Sequence, residues 1–186
     1  GTWDQVLCNA LRHEFGADVS MSAGVRWGTT TLAGDWITME DVMTQCSMTY
    51  GETYVTEMSG ADLKTIFESV ADNLFDPDPY LQSGGDMVRI GGLDYTIDPS
   101  KKLGERISNI ILDNGKPLDM DARYTVAGWA SVNRTPDGPL MWDVVRGYIL
   151  DNKGKDNVLR LPKINNPTLV GVADNPGIAD YAGKMS

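Results

Sequence analysis

One amphipathic helix in the first half of the sequence divides the chain into two unlike parts. Its apolar side chains recur with the 3.6-residue period of a helix that buries one face: Leu63, Ile66, Phe67, Val70 and Leu74. The Asp-Pro-Asp-Pro run at 76–79 ends this helix, because proline disfavours helical backbone in the residue before it. Helices and strands are mixed before this break, and strands predominate after it, without a strict strand–helix–strand rhythm. The sequence therefore predicts an α+β fold with a mixed sheet and packed helices.

Shorter signals place the other elements. We expect a first helix from Trp3 to Phe15, capped by the Thr2 hydroxyl and closed by Gly16. A capping box, in which a hydroxyl precedes a carboxylate by three residues, predicts a second helix after Thr38. Strands are predicted at 17–22, 53–58, 87–90, 93–97, 106–112 and 124–132, and a helix at 140–150. In the central helix, the polar side chains expected to face solvent are Asp62, Glu68 and Asp72.

The length of 186 residues suits one domain of ordinary size. We expect residues 1–150 to form that domain, and 151–186, which hold several prolines among small and polar residues, to form an irregular tail packed on it. The sequence begins at Gly1 with neither a methionine nor a signal peptide, so we expect a processed or excised piece of a longer protein.

Composition narrows the classes of function. The formal net charge of −10 argues against a nucleic-acid partner, which needs a basic face, and no apolar run reaches the roughly 18 residues of a membrane span. The only histidine is His13, on the polar face of the first helix, where a solvated histidine is the better interpretation. The sequence also contains two cysteines, Cys8 and Cys46, and both a disulfide and two buried thiols fit it. A metal cluster cannot be assembled from so few ligands of this kind.

Three glycine-containing stretches are candidates for a binding site. In the first, Arg26 lies between glycines at the end of a strand, where a guanidinium can bind an oxyanion or simply be solvated in a turn. The second, 83–92, carries Asp86 and Arg89 between two glycine pairs, which allow close approach to a ligand but also mark bulges. The third places Trp129 among small residues, either as the wall of a cleft or as a core residue.

The order of three segments resembles the C-terminal domain of the 5′-nucleotidase family. The segments are Ser22 to Arg26, Gly34 to Val42 and Val55 to Lys64. In the same order the family carries an asparagine–glycine–glycine–x–x–arginine loop, a Gly-Asp-Ile-Thr-x-Glu-Asp-Val segment, and a helix start of the form Glu-Leu/Met-Ser/Thr-Gly-x-x-Leu. Matches at 113–118 and 124–127 extend the resemblance over roughly residues 1–150.

Within this family the chain is more similar to the thiosulfohydrolases of bacterial sulfur oxidation. Segments 1–4, 26–29, 70–80, 84–89 and 126–130 look like that group. The nucleotidases place aromatic side chains in two loops that sandwich a nucleobase, and here the corresponding stretches are 86–87 and 129–131. The Gly-Gly-Asp-Gly motif expected after the second loop is replaced by 134–139. These departures favour a smaller, sulfur-containing substrate over a nucleotide.

The resemblance implies a two-domain periplasmic enzyme of which this chain is the substrate-orienting C-terminal domain. It implies an N-terminal metallophosphatase-like domain that holds two manganese ions, and a substrate carried on a cysteine of the SoxY subunit of the SoxYZ carrier protein, from which sulfate is released. By matching position, Arg26 is implied to contact the sulfonate oxygens, and Asp86, Arg89 and Trp129 to shape the cleft for the carrier's cysteine arm. No catalytic residue or metal ligand is expected in this chain, and the chain alone is expected to be inactive.

Two other functions remain open. The chain could be the domain of a nucleotidase or nucleotide-sugar hydrolase, in which case the complete protein would release phosphate from AMP. It could also be a module that only docks the carrier, in which case carrier binding would survive without the metal domain.

Overall fold

Helices and strands are mixed along the described chain, which comprises residues 1–24, 30–46, 50–84, 86–131 and 136–171 of a computed structural model. Its helices are α1 (Thr2–Phe15), α2 (Met39–Gln45), α3 (Gly60–Phe75) and α4 (Met141–Asn152). Its strands are β1 (Val19–Ser22), β2 (Thr53–Ser59), β3 (Arg89–Gly91), β4 (Leu93–Ile97), β5 (Ile107–Leu112), β6 (Arg123–Trp129) and β7 (Thr168–Leu169). The predicted α+β class is confirmed.

Carboxylates close the first turns of α1, α2 and α3. In α2, the Asp41 N–H donates to the Thr38 hydroxyl at 3.2 Å and the Asp41 carboxylate accepts from the Thr38 N–H at 2.7 Å, which confirms the predicted capping box. The prediction for α1 is wrong at its start. Gly1 is the cap and Thr2 is already helical, because the Asp4 carboxylate accepts from the Gly1 nitrogen at 2.6 Å in place of a hydroxyl cap. Gly16 ends α1 in the left-handed conformation (φ 60°), as predicted.

The strands form two sheets. The first has four strands in the order β2-β6-β1-β3, in which β6 and β1 are parallel and the two outer pairs are antiparallel. All four residues of β1 are buried, whereas the sequence pattern predicts a half-buried strand. The second sheet has the order β5-β4-β7. Two apolar clusters cover these sheets: one joins α3 to both sheets, and the other packs α1, α2 and α4 near β6.

Glu68 on α3 is buried, which corrects the prediction that it faces solvent. Its side chain lies 4% exposed, and its carboxylate accepts hydrogen bonds from the backbone N–H groups of Gly104 at 2.9 Å, Arg106 at 3.2 Å and Ile107 at 2.8 Å. The neighbouring Arg106 side chain is also buried and pairs with Asp72. A charge can be buried here because each oxygen accepts from the chain that leads into β5.

The segment after α4 is attached to the second sheet and to α1. The Asn165 side chain accepts from Gln5 on α1 at 3.1 Å and donates to Asp113 at 2.9 Å. Lys163 pairs with Asp94 at 2.6 Å and with Asp113 at 2.7 Å, and β7 pairs with β4. These contacts hold the described part of the C-terminal segment across the edge of the second sheet.

Candidate functional site

Four strand ends of the first sheet meet at one edge, which we call the site edge. The register pairs Ser22, the last residue of β1, with Arg89, the first of β3. It also pairs Thr53, the first residue of β2, with Trp129, the last of β6. Because β1 and β6 run parallel, both end at this edge. The described parts of the glycine-containing segments that the sequence singles out therefore lie side by side where they enter or leave the sheet.

Trp129 ties the two central strands together at this edge. Its indole N–H donates to the Ser22 hydroxyl at 2.7 Å, and that hydroxyl donates to the Ala23 carbonyl at 2.9 Å. Trp129 is 4% exposed and Ser22 is 1% exposed. The indole thus supports the floor of the site in this arrangement, and the substrate-binding role predicted for it stays a prediction.

Arg89 lies between two carboxylates beside β1. Its Nε is 3.4 Å from the Asp4 Oδ1 atom and its second terminal nitrogen is 3.5 Å from the Asp86 Oδ2 atom. Its first terminal nitrogen donates to the Met87 carbonyl at 2.6 Å. Arg89 and Asp86 are part-exposed, with side-chain exposures of 34% and 40%, whereas Asp4 is 14% exposed. We call Asp4, Arg89 and Asp86 the site ion cluster.

Gly24 lies directly against this cluster. A Cβ atom on Gly24 would be 2.3 Å from the Asp86 Oδ2 atom and 2.9 Å from a terminal nitrogen of Arg89. A side chain at this position would force the ends of the Asp86 and Arg89 side chains to move. Gly24 is also the last described residue before the segment that carries Arg26.

The backbone is strained at two non-glycine positions of the site edge. Ala130, next after β6, has φ 56°, and Tyr50, three residues before β2, has φ 89°. Such left-handed conformations cost on the order of 1–3 kcal/mol for residues with a side chain. They turn the chain sharply as it enters and leaves the sheet, and strain of this kind clusters at binding sites.

The segment that departs from the 5′-nucleotidase pattern is attached to β2 at the same edge. Residues 132–135 lie outside the described residues, but the Thr53 hydroxyl donates to the Pro139 carbonyl at 2.7 Å and the Gly138 N–H donates to the Thr53 carbonyl at 3.0 Å. A Cβ on Gly138 would be 2.4 Å from the Thr53 hydroxyl oxygen. Gly138 and Pro139 therefore hold the described part of this segment in close contact with the start of β2.

The structure brings three of the four predicted site residues to the site edge. Asp86 and Arg89 form an ion pair, and Trp129 is bonded to the strand that pairs with Arg89. Arg26 lies outside the described residues. Sequence reasoning missed Asp4, since an acid in the first turn of a helix is explained by capping alone.

Among the described residues, the cysteine side chains are inert and the histidine lies on the surface. Cys8 and Cys46 are free and buried, and burial raises the pKa of each thiol to about 12, which leaves both protonated at neutral pH. His13 is 43% exposed and 3.2 Å from Asp151, as predicted for a surface histidine. In the described part of the chain, no group of three or more His, Cys, Asp or Glu side chains is arranged to hold a metal ion. Over the same residues, no helix has both the length and the apolar character for crossing a bilayer.

Comparison with known proteins identifies the family to which this arrangement of helices and sheets belongs. Residues 2–141 match the 5′-nucleotidase C-terminal domain family. The chain belongs to that family, as the sequence motifs predict. No curated protein matches the chain by sequence.

Three solved structures have the same fold. The sulfate thiohydrolase SoxB of Thermus thermophilus, in complex with glycerol, is 31% identical over 92% of this chain, with a TM-score of 0.79. A putative 5′-nucleotidase from Staphylococcus aureus in complex with alpha-ketoglutarate is 19% identical over 90% of this chain (TM-score 0.70). A 5′-nucleotidase precursor, also from Thermus thermophilus, is 15% identical over 91% (TM-score 0.66). The chain spans 32%, 36% and 35% of these three chains, respectively.

Proposed function

We propose that this chain is the substrate-binding domain of a periplasmic thiosulfohydrolase, which hydrolyses the sulfonate from a cysteine S-thiosulfonate on the SoxY subunit of SoxYZ. The observation that carries the proposal is the contrast in identity. The chain is 31% identical to SoxB over 92% of its length, whereas the two nucleotidases, at 19% and 15%, share the fold alone.

The proposed reaction breaks one sulfur–sulfur bond. A water oxygen bonds to the sulfonate sulfur, and the sulfur–sulfur electron pair remains on the carrier-side sulfur. Two protons leave the water as the products become sulfate and a carrier-bound persulfide anion, so that the formal charge balances. The sulfonate is a tetrahedral anion, and a guanidinium such as that of Arg26 can donate two parallel hydrogen bonds to it.

This chain contributes binding and orientation to the proposed reaction. Its described residues do not form a metal site, so we propose that the two manganese ions implied by the resemblance reside in a separate N-terminal metallophosphatase-like domain, and we derive no step through them. At the site edge, Asp86 and Arg89 are exposed enough to line a cleft for a cysteine-bearing arm. Trp129 and Ser22 hold the two strand ends beneath that cleft.

The test is sulfate release by the complete protein from SoxYZ that carries the thiosulfonate. We expect Arg26→Ala to lower kcat/KM about 10- to 100-fold, the equivalent of one charge-assisted interaction of roughly 1.5–3 kcal/mol. Arg123→Ala is the matched control, because Arg123 is 60% exposed at the opposite end of β6 and we expect unchanged turnover. Wild-type turnover in Arg26→Ala would remove Arg26 from the site.

Two further outcomes would overturn the wider proposal. Robust phosphate release from AMP, without sulfate release, would assign the protein to the nucleotidases. Tight SoxYZ binding by this chain, with no sulfate release by the complete protein, would make it a docking module.

A further inference from the structure

All three guanidinium nitrogens of Arg89 have a partner. Its Nε faces Asp4, one terminal nitrogen donates to the Met87 carbonyl, and the other faces Asp86. One hydrogen bond of 2.6 Å and two charge contacts of 3.4 and 3.5 Å restrict the orientation of this arginine. It is therefore better suited to shape its surroundings than to follow a ligand.

The element that Arg89 shapes is the backbone at Gly24. The Arg89–Asp86 pair occupies the space where a Cβ of Gly24 would lie, and the strand pairing places Arg89 opposite Ser22, two residues earlier. Gly24 therefore packs against the ion pair at the point where the chain leaves β1.

Asp4 links this contact to α1. Its Oδ2 atom accepts from the Gly1 nitrogen at 2.6 Å and closes the first turn, while its Oδ1 atom faces Arg89 at 3.4 Å. With 14% exposure, Asp4 is the most enclosed member of the cluster. Partial burial strengthens an ion pair relative to one on an open surface.

We propose that Asp4 is a positioning residue of the site, which acts through Arg89 to hold the Arg89–Asp86 pair against Gly24 and so orders the backbone at the end of β1 beside the pair. This inference rests on the proposed function for its catalytic consequence. Its structural consequence, the ordering of the backbone at 22–24, is independent of the reaction.

The experiment compares Asp4→Asn with Asp62→Asn in the complete protein. Asp62 holds the equivalent place in α3, where its carboxylate accepts from the Ser59 N–H at 3.0 Å and from the Ser59 hydroxyl at 2.7 Å. It lies at the end of β2 opposite the site edge. Both variants weaken a helix cap, and only Asp4→Asn removes a charge from the site ion cluster.

Two readouts separate positioning from stability. We expect Asp4→Asn to speed hydrogen exchange of the Ala23 and Gly24 amides about fivefold or more, and to raise KM for the carrier-bound substrate about tenfold with kcat changed less than about twofold. Asp62→Asn should change neither. The double variant Asp4→Asn/Arg89→Gln should be no worse than Arg89→Gln alone, since Asp4 acts only through Arg89.

The inference is overturned if exchange at 23–24 is unchanged in Asp4→Asn, if Asp62→Asn has the same effect, or if the two substitutions at Asp4 and Arg89 add. If the wild-type protein releases no sulfate, the proposed function fails while the exchange measurement still decides the positioning role. If exchange responds and KM does not, the cluster orders the backbone without serving the substrate, and the proposal for Asp4 fails.

Discussion

Substituting Glu68 with alanine removes the side chain that accepts hydrogen bonds from the backbone N–H groups of Gly104, Arg106 and Ile107. Those donors lie 2.8–3.2 Å from the two carboxylate oxygens. An orphaned buried donor costs about 1–3 kcal/mol, and breaking a buried charge interaction costs roughly 3–5 kcal/mol in total. We therefore expect Glu68→Ala to lower the free energy of unfolding by about 4 kcal/mol.

Glutamine at position 68 should lower the free energy of unfolding by less than alanine does. Its one carbonyl oxygen can still accept from Gly104 and Arg106, which share the Oε2 atom, but its amide group then presents a donor to the Ile107 N–H. One lost bond and one pair of facing donors should cost about 2 kcal/mol. The free energy of unfolding should therefore fall in the order wild type, Glu68→Gln, Glu68→Ala, because the carboxylate binds its donors through two oxygens.

Urea unfolding followed by circular dichroism measures these differences. With a slope of roughly 2 kcal/mol per molar urea, Glu68→Ala should lower the midpoint by about 2 M. Glu57→Gln is the control, since Glu57 is 67% exposed and 3.8 Å from Arg123, a surface pair worth about 0–1 kcal/mol. A Glu68→Ala midpoint within about 0.5 M of wild type would refute the reasoning.

Three other substitutions or treatments have defined outcomes. Gly147→Ala should raise the free energy of unfolding by about 0.5–1 kcal/mol in urea titration, because Gly147 lies inside α4 and a Cβ there meets no atom within 4 Å. Trp129→Phe should lower it by about 2 kcal/mol, since it leaves the Ser22 hydroxyl without its indole donor. Cys8 and Cys46 should react with Ellman's reagent only after unfolding. Burial raises their pKa from 9.0 to about 12, so their contribution to stability is complete below pH 9 and lost as pH rises toward 12.

Helix positions were predictable because each depends on residues close in sequence. The stripe from Leu63 to Leu74 indicates α3, and the Thr38 capping box marks the start of α2, both as the structure has them. Glu68 was predicted wrongly for the opposite reason. Its backbone partners lie 36–39 residues further along the chain, and no local pattern distinguishes a satisfied buried carboxylate from a solvated one.

The candidate site was predictable in its parts and not in its assembly. Glycines flanking Arg89 and Trp129 are visible in the sequence, and the family motifs order them along the chain. What brings them together is the register: β6 runs parallel to β1, and β3 runs antiparallel to it, so that three distant segments reach one edge. Parallel pairing between strands about 100 residues apart has no short-range signal.

Asp4 shows how one sequence signal can have two structural meanings. An acid at the third position of a helix caps the first turn in α1, α2 and α3 alike. In α2 and α3 the preceding threonine or serine hydroxyl shares the same carboxylate oxygen, Oδ2, with the cap N–H. In α1 the cap is a glycine without a hydroxyl, and the second oxygen of Asp4 faces Arg89. The cap of α1 thus has no hydroxyl, and its carboxylate joins the first helix to the ion pair at the site edge.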